Sequence, residues 1–197
     1  MIVGPLVLDV GAGGRSRLCR ILKKVISLDV RAISGVDIVA SAWALPFRNN
    51  AFDVVVCVDT LEHIPREFRK RVLQELKRVT KRRVVVHGPL EDGLIYRGRV
   101  YDIAFQRWYL AVYGFEEKNT EEHIRYVEPS PKEFETEGFV VIGTHNADLW
   151  LKYMRLQYMP FKLHFVKMML SWIYYLINKK KDEKPPFWGG TAVCDKI

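Results

Sequence analysis

The feature that most constrains this chain is a glycine-rich turn that follows an apolar run. Residues 7–17 read VLDVGAGGRSR, and Gly11 and Gly13 flank a single alanine. Glycine has no Cβ, so such a turn can take positive φ and a ligand can lie against its backbone. The first turn of a following helix offers free N–H groups. The pattern predicts a nucleotide-like ligand at the carboxyl end of a buried strand.

The spacing of two aspartates narrows the choice of ligand. Asp29 ends the next apolar run, 20 residues after Asp9, and at this spacing a carboxylate reaches both hydroxyls of a bound ribose. A dinucleotide site usually keeps a third glycine, but Arg15 falls near that position. A cofactor with one nucleoside and no phosphates, such as S-adenosylmethionine, does not need that glycine. Arg15 is expected to point to solvent or to the cofactor carboxylate.

Short β-rich runs alternate with helical patterns along the chain, which predicts βαβ units and a mostly parallel sheet. The predicted strands are residues 5–11, 25–30, 35–42, 51–60, 82–89, 139–146 and 188–196. The predicted helices are residues 16–24, 65–80, a short one from the Ser130 capping box to Gly138, and one or two over 149–178, broken near Pro160. Residues 94–113 are expected to be helical or irregular.

Two of these helices carry a recognisable apolar face. In 16–24 it consists of Leu18, Ile21 and Leu22, and in 65–80 of Phe68, Val72, Leu76 and Val79. The opposite face of the second helix is expected to carry Arg69, Lys70, Lys77 and Arg78.

Composition sets broad bounds. A chain of 197 residues favours a single domain over 1–197, with a helical insertion at about 149–186 before the last strand. Three separated cysteines and five scattered histidines favour a reducing, cytoplasmic compartment without a metal site. The most apolar segment of the later part of the chain, 168–177, is too short to cross a bilayer.

At this point the chain resembles the class I S-adenosylmethionine-dependent methyltransferases, in particular those acting on small molecules. VLDVGAGG is similar to the family's first motif, DIVASAWALPFRNNAFDVVVCVDTLEHIP to its central signature, and HIRYVEPSPKEFETEGFVV to its late helix and strand. The resemblance implies a Rossmann-like three-layer α/β/α sandwich. Its seven strands would have the order 3-2-1-4-5-7-6, with the last strand antiparallel.

The resemblance also implies a cofactor site for S-adenosylmethionine and its product S-adenosylhomocysteine. The implied residues are Asp9, Gly11, Ala12 and Gly13 at the methionine portion, Asp29 with Val30 at the ribose, Ser41, Ala42 and Trp43 at the adenine, and Val58 and Asp59 on the methyl side.

Three departures from the family pattern stand out. Ser41 occupies a position where the family often has an acid, and the helix between strands two and three is nearly absent. The chain also starts almost at strand one. Cover for the substrate is therefore expected from residues 94–120, from 149–178 or from a second subunit.

Methyl transfer is mainly a positioning task, and a general base is needed only for a protonated, poorly acidic acceptor. His63, after strand four, is the first candidate for that base. His87 and His145, at the ends of strands five and six, are weaker candidates. Glu62 is expected to be a structural partner of a nearby N–H group or arginine.

Three acceptor classes stay open. A small metabolite would need a pocket walled by aromatic residues, although these could equally form core: Tyr96, Tyr101, Phe105, Trp108 and Tyr109. Nucleic acid could use the basic run Arg66, Arg69, Lys70, Arg71, Lys77, Arg78, Lys81, Arg82 and Arg83. The chain lacks the Asn/Asp-Pro-Pro-aromatic motif of base-amino methyltransferases, so nucleic acid is not favoured.

The third class is a lipid or quinone at a membrane surface. Peripheral contact could use residues 149–181, with Lys162, Lys167 and Lys179–Lys181 among the apolar side chains. A lid or a homodimer surface is the alternative use of the same segment.

Overall fold

The computed structural model describes residues 4–160 and 164–196, and within these not the side chains of His164 and Phe165. It contains one seven-stranded sheet. The strands are β1 (Val7–Val10), β2 (Val25–Asp29), β3 (Ile38–Val39), β4 (Phe52–Val58), β5 (Thr80–Pro89), β6 (Val140–Asn146) and β7 (Phe187–Asp195).

The strand order is β3-β2-β1-β4-β5-β7-β6. The first four pairings, from β3 through to β5, are parallel. Side-chain contacts between β5 and β7 join Arg83 to Asp195 and His87 to Thr191, so the two strands run in opposite directions. The predicted Rossmann-like fold and strand order are confirmed.

Six α-helices accompany the sheet in the described part of the chain. They are α1 (Arg66–Val79), α2 (Gly98–Tyr113), α3 (Lys118–Tyr126), α4 (Pro131–Glu135), α5 (Ala147–Gln157) and α6 (His164–Asp182). The break predicted near Pro160 falls between α5 and α6. None of these helices, over the residues described, is long and apolar enough to cross a membrane.

The contacts divide the chain into two compact units. The first comprises Met1–Gly88, Lys132–Val141 and Thr191–Ile197, and the second Pro89–Pro131 and Ile142–Gly190. The single domain with a helical insertion stays a prediction.

The core of the first unit is centred on β1. Leu8 is fully buried, and it lies in register with Ile26 of β2 and Val55 of β4. Val7 and Leu8 point to opposite faces of this strand and both are buried, so the strand is covered on both faces, as in other parallel sheets. The carboxyl ends of β1, β2 and β4 are thereby held side by side.

The helix predicted over residues 16–24 is wrong. A single 3-10 turn, Arg17–Arg20, replaces it. Ser16 caps this turn, since its hydroxyl accepts the Leu18 N–H at 3.1 Å and donates to Asp9 Oδ2 at 2.6 Å. Ile21 is 77% exposed, so the expected apolar face is not buried. A short helix without a buried face lacks the packing that would stabilise it.

The strand predicted over 35–42 is also shorter than expected. β3 has two residues, and Asp29 and Ile38 are joined without a helix, as the spacing predicted. Strand β3 is therefore a minimal edge of the sheet.

The polar face predicted for α1 is wrong at Arg69. This side chain is 1% exposed and lies on the same side as the buried Val72 and Leu76. Its Nε donates to the carbonyl oxygen of Ile64 at 2.9 Å, and Nη1 lies 3.9 Å from Glu133 Oε2. Because these acceptors replace water, the guanidinium can remain charged while buried.

Candidate functional site

The glycine turn is tied to the end of β2 by backbone hydrogen bonds. The N–H groups of Gly11 and Ala12 both donate to the Leu28 carbonyl oxygen, at 2.8 and 3.0 Å. Gly11 and Gly13 have φ values of 78° and 64°, a region that favours glycine. The backbone of the glycine turn is therefore held in place beside the carboxyl ends of β1 and β2.

The Asp29 side chain connects the glycine turn to the end of β2. Its Oδ2 accepts the Gly13 N–H at 2.8 Å, and its Oδ1 accepts the Arg31 N–H at 2.9 Å and Nε at 3.2 Å. Burial raises the pKa of Asp29, but the hydrogen bonds from Arg31 and Gly13 outweigh it, so the pKa lies below its usual value. Asp29 is thus a carboxylate at neutral pH.

The two glycines of the turn have different surroundings. A Cβ on Gly11 would lie 2.2 Å from Thr60 Oγ1, whereas a Cβ on Gly13 would meet no atom within 4 Å. Thr60 itself donates to the Val58 carbonyl oxygen at 2.9 Å. Gly11 therefore makes room for a neighbouring side chain, and the open space that a ligand could use lies at Gly13.

Asp9, predicted to lie at the methionine portion, is half-buried at the base of the turn. Its Oδ2 accepts the Ser16 hydroxyl at 2.6 Å. Burial raises the pKa of Asp9 more than this hydrogen bond lowers it. Asp9 therefore positions the segment that replaces the predicted helix.

The predicted adenine-side residues follow β3. Ser41 Oγ is buried and has no hydrogen-bond partner in the part of the chain that the structure describes. Trp43 stacks on Phe68 with ring centroids 4.8 Å apart. Val30, predicted to lie beside the ribose, is 65% exposed. A buried hydroxyl without a partner is costly, so Ser41 offers an unused acceptor and donor.

Val58 and Asp59 lie at the carboxyl end of β4. Both are exposed, and Asp59 has a φ of 47° while its N–H donates to the His87 carbonyl oxygen at 2.9 Å. Aspartate tolerates this left-handed conformation better than most residues. The strand therefore ends in a defined turn on the same edge as Gly13 and Asp29.

The three predicted histidines have different settings. His63 is half-buried in the 3-10 turn Leu61–His63, just after β4. His87 Nδ1 lies 3.0 Å from Thr191 Oγ1, and His145 Nδ1 lies 3.3 Å from Asp182 Oδ2. Glu62, beside His63, is 1% exposed.

The second unit contains a histidine that the sequence reasoning missed. His123 Nδ1 lies 2.9 Å from Asp102 Oδ2, and Asp102 Oδ1 accepts Trp188 Nε1–H at 2.7 Å. The buried carboxylate therefore fixes the His123 ring, as in catalytic histidine–aspartate pairs. Residues 21 apart on two helices form this pair, and no local motif predicts such a contact.

Of the aromatic residues predicted to wall a pocket, Phe105 lies in the core of the second unit and the other four are half-buried. Phe105 is fully buried, and its ring contacts those of Trp108, Tyr109 and Trp150. The Tyr101 hydroxyl donates to Asp148 at 2.6 Å. The aromatic wall of an acceptor pocket stays a prediction.

The basic run around α1 is largely paired within the first unit. Arg66 lies near Glu133, Lys70 near Glu137, Arg78 on Glu75, Lys81 on Asp53 and Arg83 on Asp195. Lys77 donates to the Glu137 carbonyl oxygen, and Arg69 is buried. These contacts reduce the charge that the run presents to phosphate.

The first unit has an open groove of about 820 Å³ that is separate from the predicted cofactor residues. Its lining is Arg15, Cys19, Arg20, Ile21, Leu22, Lys23, Val25, Ser27, Gly35 and Asp37. It includes Arg15 but none of the predicted cofactor residues. The groove occupies the side of β2 where the predicted first helix is missing.

Comparison with known proteins agrees with this architecture. Residues 8–87 match the model of a methyltransferase domain family, whereas no curated protein sequence matches the chain. A similar solved structure is an S-adenosylmethionine-dependent methyltransferase from Thermotoga maritima, described as a possible histamine N-methyltransferase. It has 17% identity and a TM-score of 0.54, covering 100% of this chain and 84% of that one.

A second is a methyltransferase of the same cofactor dependence from Archaeoglobus fulgidus. It has 16% identity and a TM-score of 0.53, covering 96% of this chain and 85% of that one. At these identities the two structures show a shared fold.

Proposed function

We propose that this protein is a class I S-adenosylmethionine-dependent methyltransferase that methylates a small-molecule acceptor, either a metabolite or a lipid-like compound. The match of residues 8–87 to the methyltransferase domain model supports this proposal. The bound sulfonium would supply an activated methyl group, leaving S-adenosylhomocysteine. The observation that carries the proposal is the link between Gly13 N–H and the Asp29 carboxylate at 2.8 Å. This hydrogen bond keeps the open space at Gly13 next to the Asp29 carboxylate, which is expected to bind a ribose.

The residues on this edge fit the cofactor. The space at Gly13 is open, so the methionine portion can approach the backbone. Ser41 Oγ is buried without a partner among the residues described, and an adenine amino group would satisfy it. Asp29 Oδ2 accepts one hydrogen bond and keeps a second lone pair for a ribose hydroxyl, whereas Oδ1 accepts two from Arg31.

Arg31 would have to adjust for the ribose to reach Asp29. Its Nε lies 3.2 Å from Asp29 Oδ1, but its side chain is 68% exposed. An exposed ion pair of this kind contributes little stability. We infer that the guanidinium swings aside, while the backbone N–H groups of Gly13 and Arg31 keep Asp29 ionised.

His63 is our candidate for accepting a proton from the acceptor. It follows Val58 and Asp59 on the chain, at the edge where α/β sheets bind ligands. A base at this position would matter for an acceptor whose nucleophilic atom carries a proton at neutral pH. Val58, Asp59 and His63 would also orient the acceptor and exclude water from it.

Pairing of the basic run supports a small acceptor over nucleic acid. A protein that binds nucleic acid through many phosphate contacts loses affinity steeply as salt rises. Six cations of the run already lie within 4 Å of a carboxylate in the first unit. We therefore expect weak binding to RNA even at low salt.

Calorimetric titration with S-adenosylmethionine and S-adenosylhomocysteine tests the cofactor. We expect saturable binding of both and none of NAD. Tight binding of NAD with no heat from either adenosyl compound would overturn the proposal.

A transfer assay tests the acceptor class. The protein is incubated with methyl-labelled cofactor and a cell extract, which is then fractionated into metabolites, lipids and RNA. Label in the metabolite or lipid fraction is expected. Label confined to RNA would contradict a small-molecule acceptor while leaving the cofactor assignment intact.

A further inference from the structure

Helix α6 has its polar and apolar sides reversed relative to a packed helix. Ser171 is 1% exposed, and Lys167, Tyr174 and Asn178 on the same side are half-buried. The large apolar side chains are exposed instead. They are Val166, Met168, Met169, Leu170, Trp172, Ile173, Leu176 and Ile177.

The apolar face is too large to be scattered surface residues. Trp172 is 65% exposed and Ile177 77% exposed, and the set covers more than half of the helix circumference over three turns. Soluble monomers rarely expose contiguous apolar patches larger than a few hundred Å². Among the described residues, α6 packs against α5, which leaves this face uncovered.

Positive charge lies directly beside the apolar face. Lys179, Lys180 and Lys181 form the last turn of α6 and are all exposed. The nearby Asp182 is turned inward, where its Oδ1 accepts the Asn146 N–H at 3.0 Å and its Oδ2 lies 3.3 Å from His145. The acid therefore does little to neutralise the lysines.

We propose that α6 docks on the surface of an anionic lipid bilayer. Acyl chains would receive the apolar face, and lipid phosphates or carboxylates would receive the lysines. Trp172 and Tyr175, which is 40% exposed, suit the boundary between the two regions, where aromatic side chains are enriched. The helix lies along the surface, because none of the described helices can span a bilayer.

The charge favours lipid over a second copy of the chain as the occupant. The chain has a net charge of +8, so two copies repel each other whereas an anionic surface attracts them. A lipid surface accommodates the apolar side chains and the lysines together. The proposal is independent of methyl transfer.

Co-sedimentation of the full-length protein with vesicles tests this proposal. The vesicles contain phosphatidylcholine alone or phosphatidylcholine with 30% phosphatidylglycerol, a composition chosen for the assay. We expect binding to the anionic vesicles that weakens as salt rises. Lys179→Gln/Lys180→Gln/Lys181→Gln should lower the partition coefficient by about fivefold for each lysine.

A second variant tests the apolar face. Trp172→Ser/Ile177→Ser should lower binding at least tenfold at any salt concentration, because both side chains lose their burial in the bilayer. Leu94→Ser is the matched control, since Leu94 is 80% exposed and lies outside α6. Circular dichroism checks that each variant is folded. If the serine variant does not fold, the vesicle binding of the glutamine variant still tests the proposal.

Two outcomes would overturn the proposal. One is the absence of binding to anionic vesicles at low salt. The other is a stable dimer by light scattering that Trp172→Ser/Ile177→Ser dissociates, together with vesicle binding that neither variant changes.

Discussion

The Gly13 N–H donates to Asp29 Oδ2 at 2.8 Å and so joins the glycine turn after β1 to the end of β2. This bond couples the open space at Gly13 to the charge at Asp29. It also gives the carboxylate a fixed orientation without a charged partner on that oxygen. Each of these residues can be tested separately.

Asp29→Asn should weaken binding of S-adenosylhomocysteine by about tenfold, since hydrogen bonds to charged groups contribute about 1.5–3 kcal/mol. The amide keeps the shape but loses the charge and one acceptor. Calorimetry measures the change. Asp195→Asn is the control, because Asp195 pairs with Arg83 at an exposed site; equal losses in both variants would contradict a role for Asp29 in binding.

Gly11→Ala should destabilise the fold by about 3 kcal/mol, because the new Cβ overlaps a neighbour and the backbone has positive φ. The overlap involves Thr60 Oγ1 at 2.2 Å and Cγ2 at 2.4 Å. Urea unfolding measures the loss. Thr60→Ala should restore part of the stability in the double variant, whereas purely additive effects would exclude the overlap as the cause.

Glu128 should make stability fall as pH rises from about 4.5 to about 7. Its side chain is fully buried, and burial, with the Asp102 carboxylate adding to it, raises its pKa to about 7 despite Arg99 and His123. The folded state therefore holds a proton that the unfolded state has released. The penalty is absent below this window and complete above it.

Glu128→Gln should remove that dependence and raise the free energy of unfolding at neutral pH by up to about 3 kcal/mol. The difference between the unfolding profiles of the parent and the variant across pH 4.5–7 isolates Glu128. Identical profiles would show that burial does not raise the pKa of Glu128 in the folded state.

His63→Asn should lower kcat at least tenfold, with a smaller effect on cofactor affinity, if the acceptor needs deprotonation. The pH profile of kcat should lose its acidic limb. His145→Asn is the matched control, since His145 contacts Asp182 in the second unit. An unchanged profile in His63→Asn would remove this residue from the chemistry.

Sequence reasoning worked where one physical requirement governed a whole segment. β1 and β4 are apolar because parallel strands are covered on both faces, and the strand order followed from the family resemblance. The predicted helix over 16–24 failed because its apolar residues do not pack against the sheet: Ile21 is 77% exposed, and no residue of the 3-10 turn is buried. A short helix needs a surface to pack against, and the spacing of apolar residues does not reveal whether one is available.

The candidate site could be predicted only where its residues form a local sequence pattern. The turn and Asp29 carry a local pattern, so their proximity could be expected. Two features could not: the filling of the Gly11 space by Thr60, and the pairing of His123 with Asp102. Both join residues distant in sequence, as does the contact that keeps Arg69 buried near Glu133.

The two outer strands of the sheet differ greatly in length, and this bears on self-association. β3 has two residues, so it offers few unpaired backbone groups to a foreign strand, whereas β6 has seven, including the exposed Val140 and Ile142. Long apolar edges template intermolecular pairing. Fibrillar growth under destabilising conditions is therefore expected to start at β6, and Ile142→Lys should delay it.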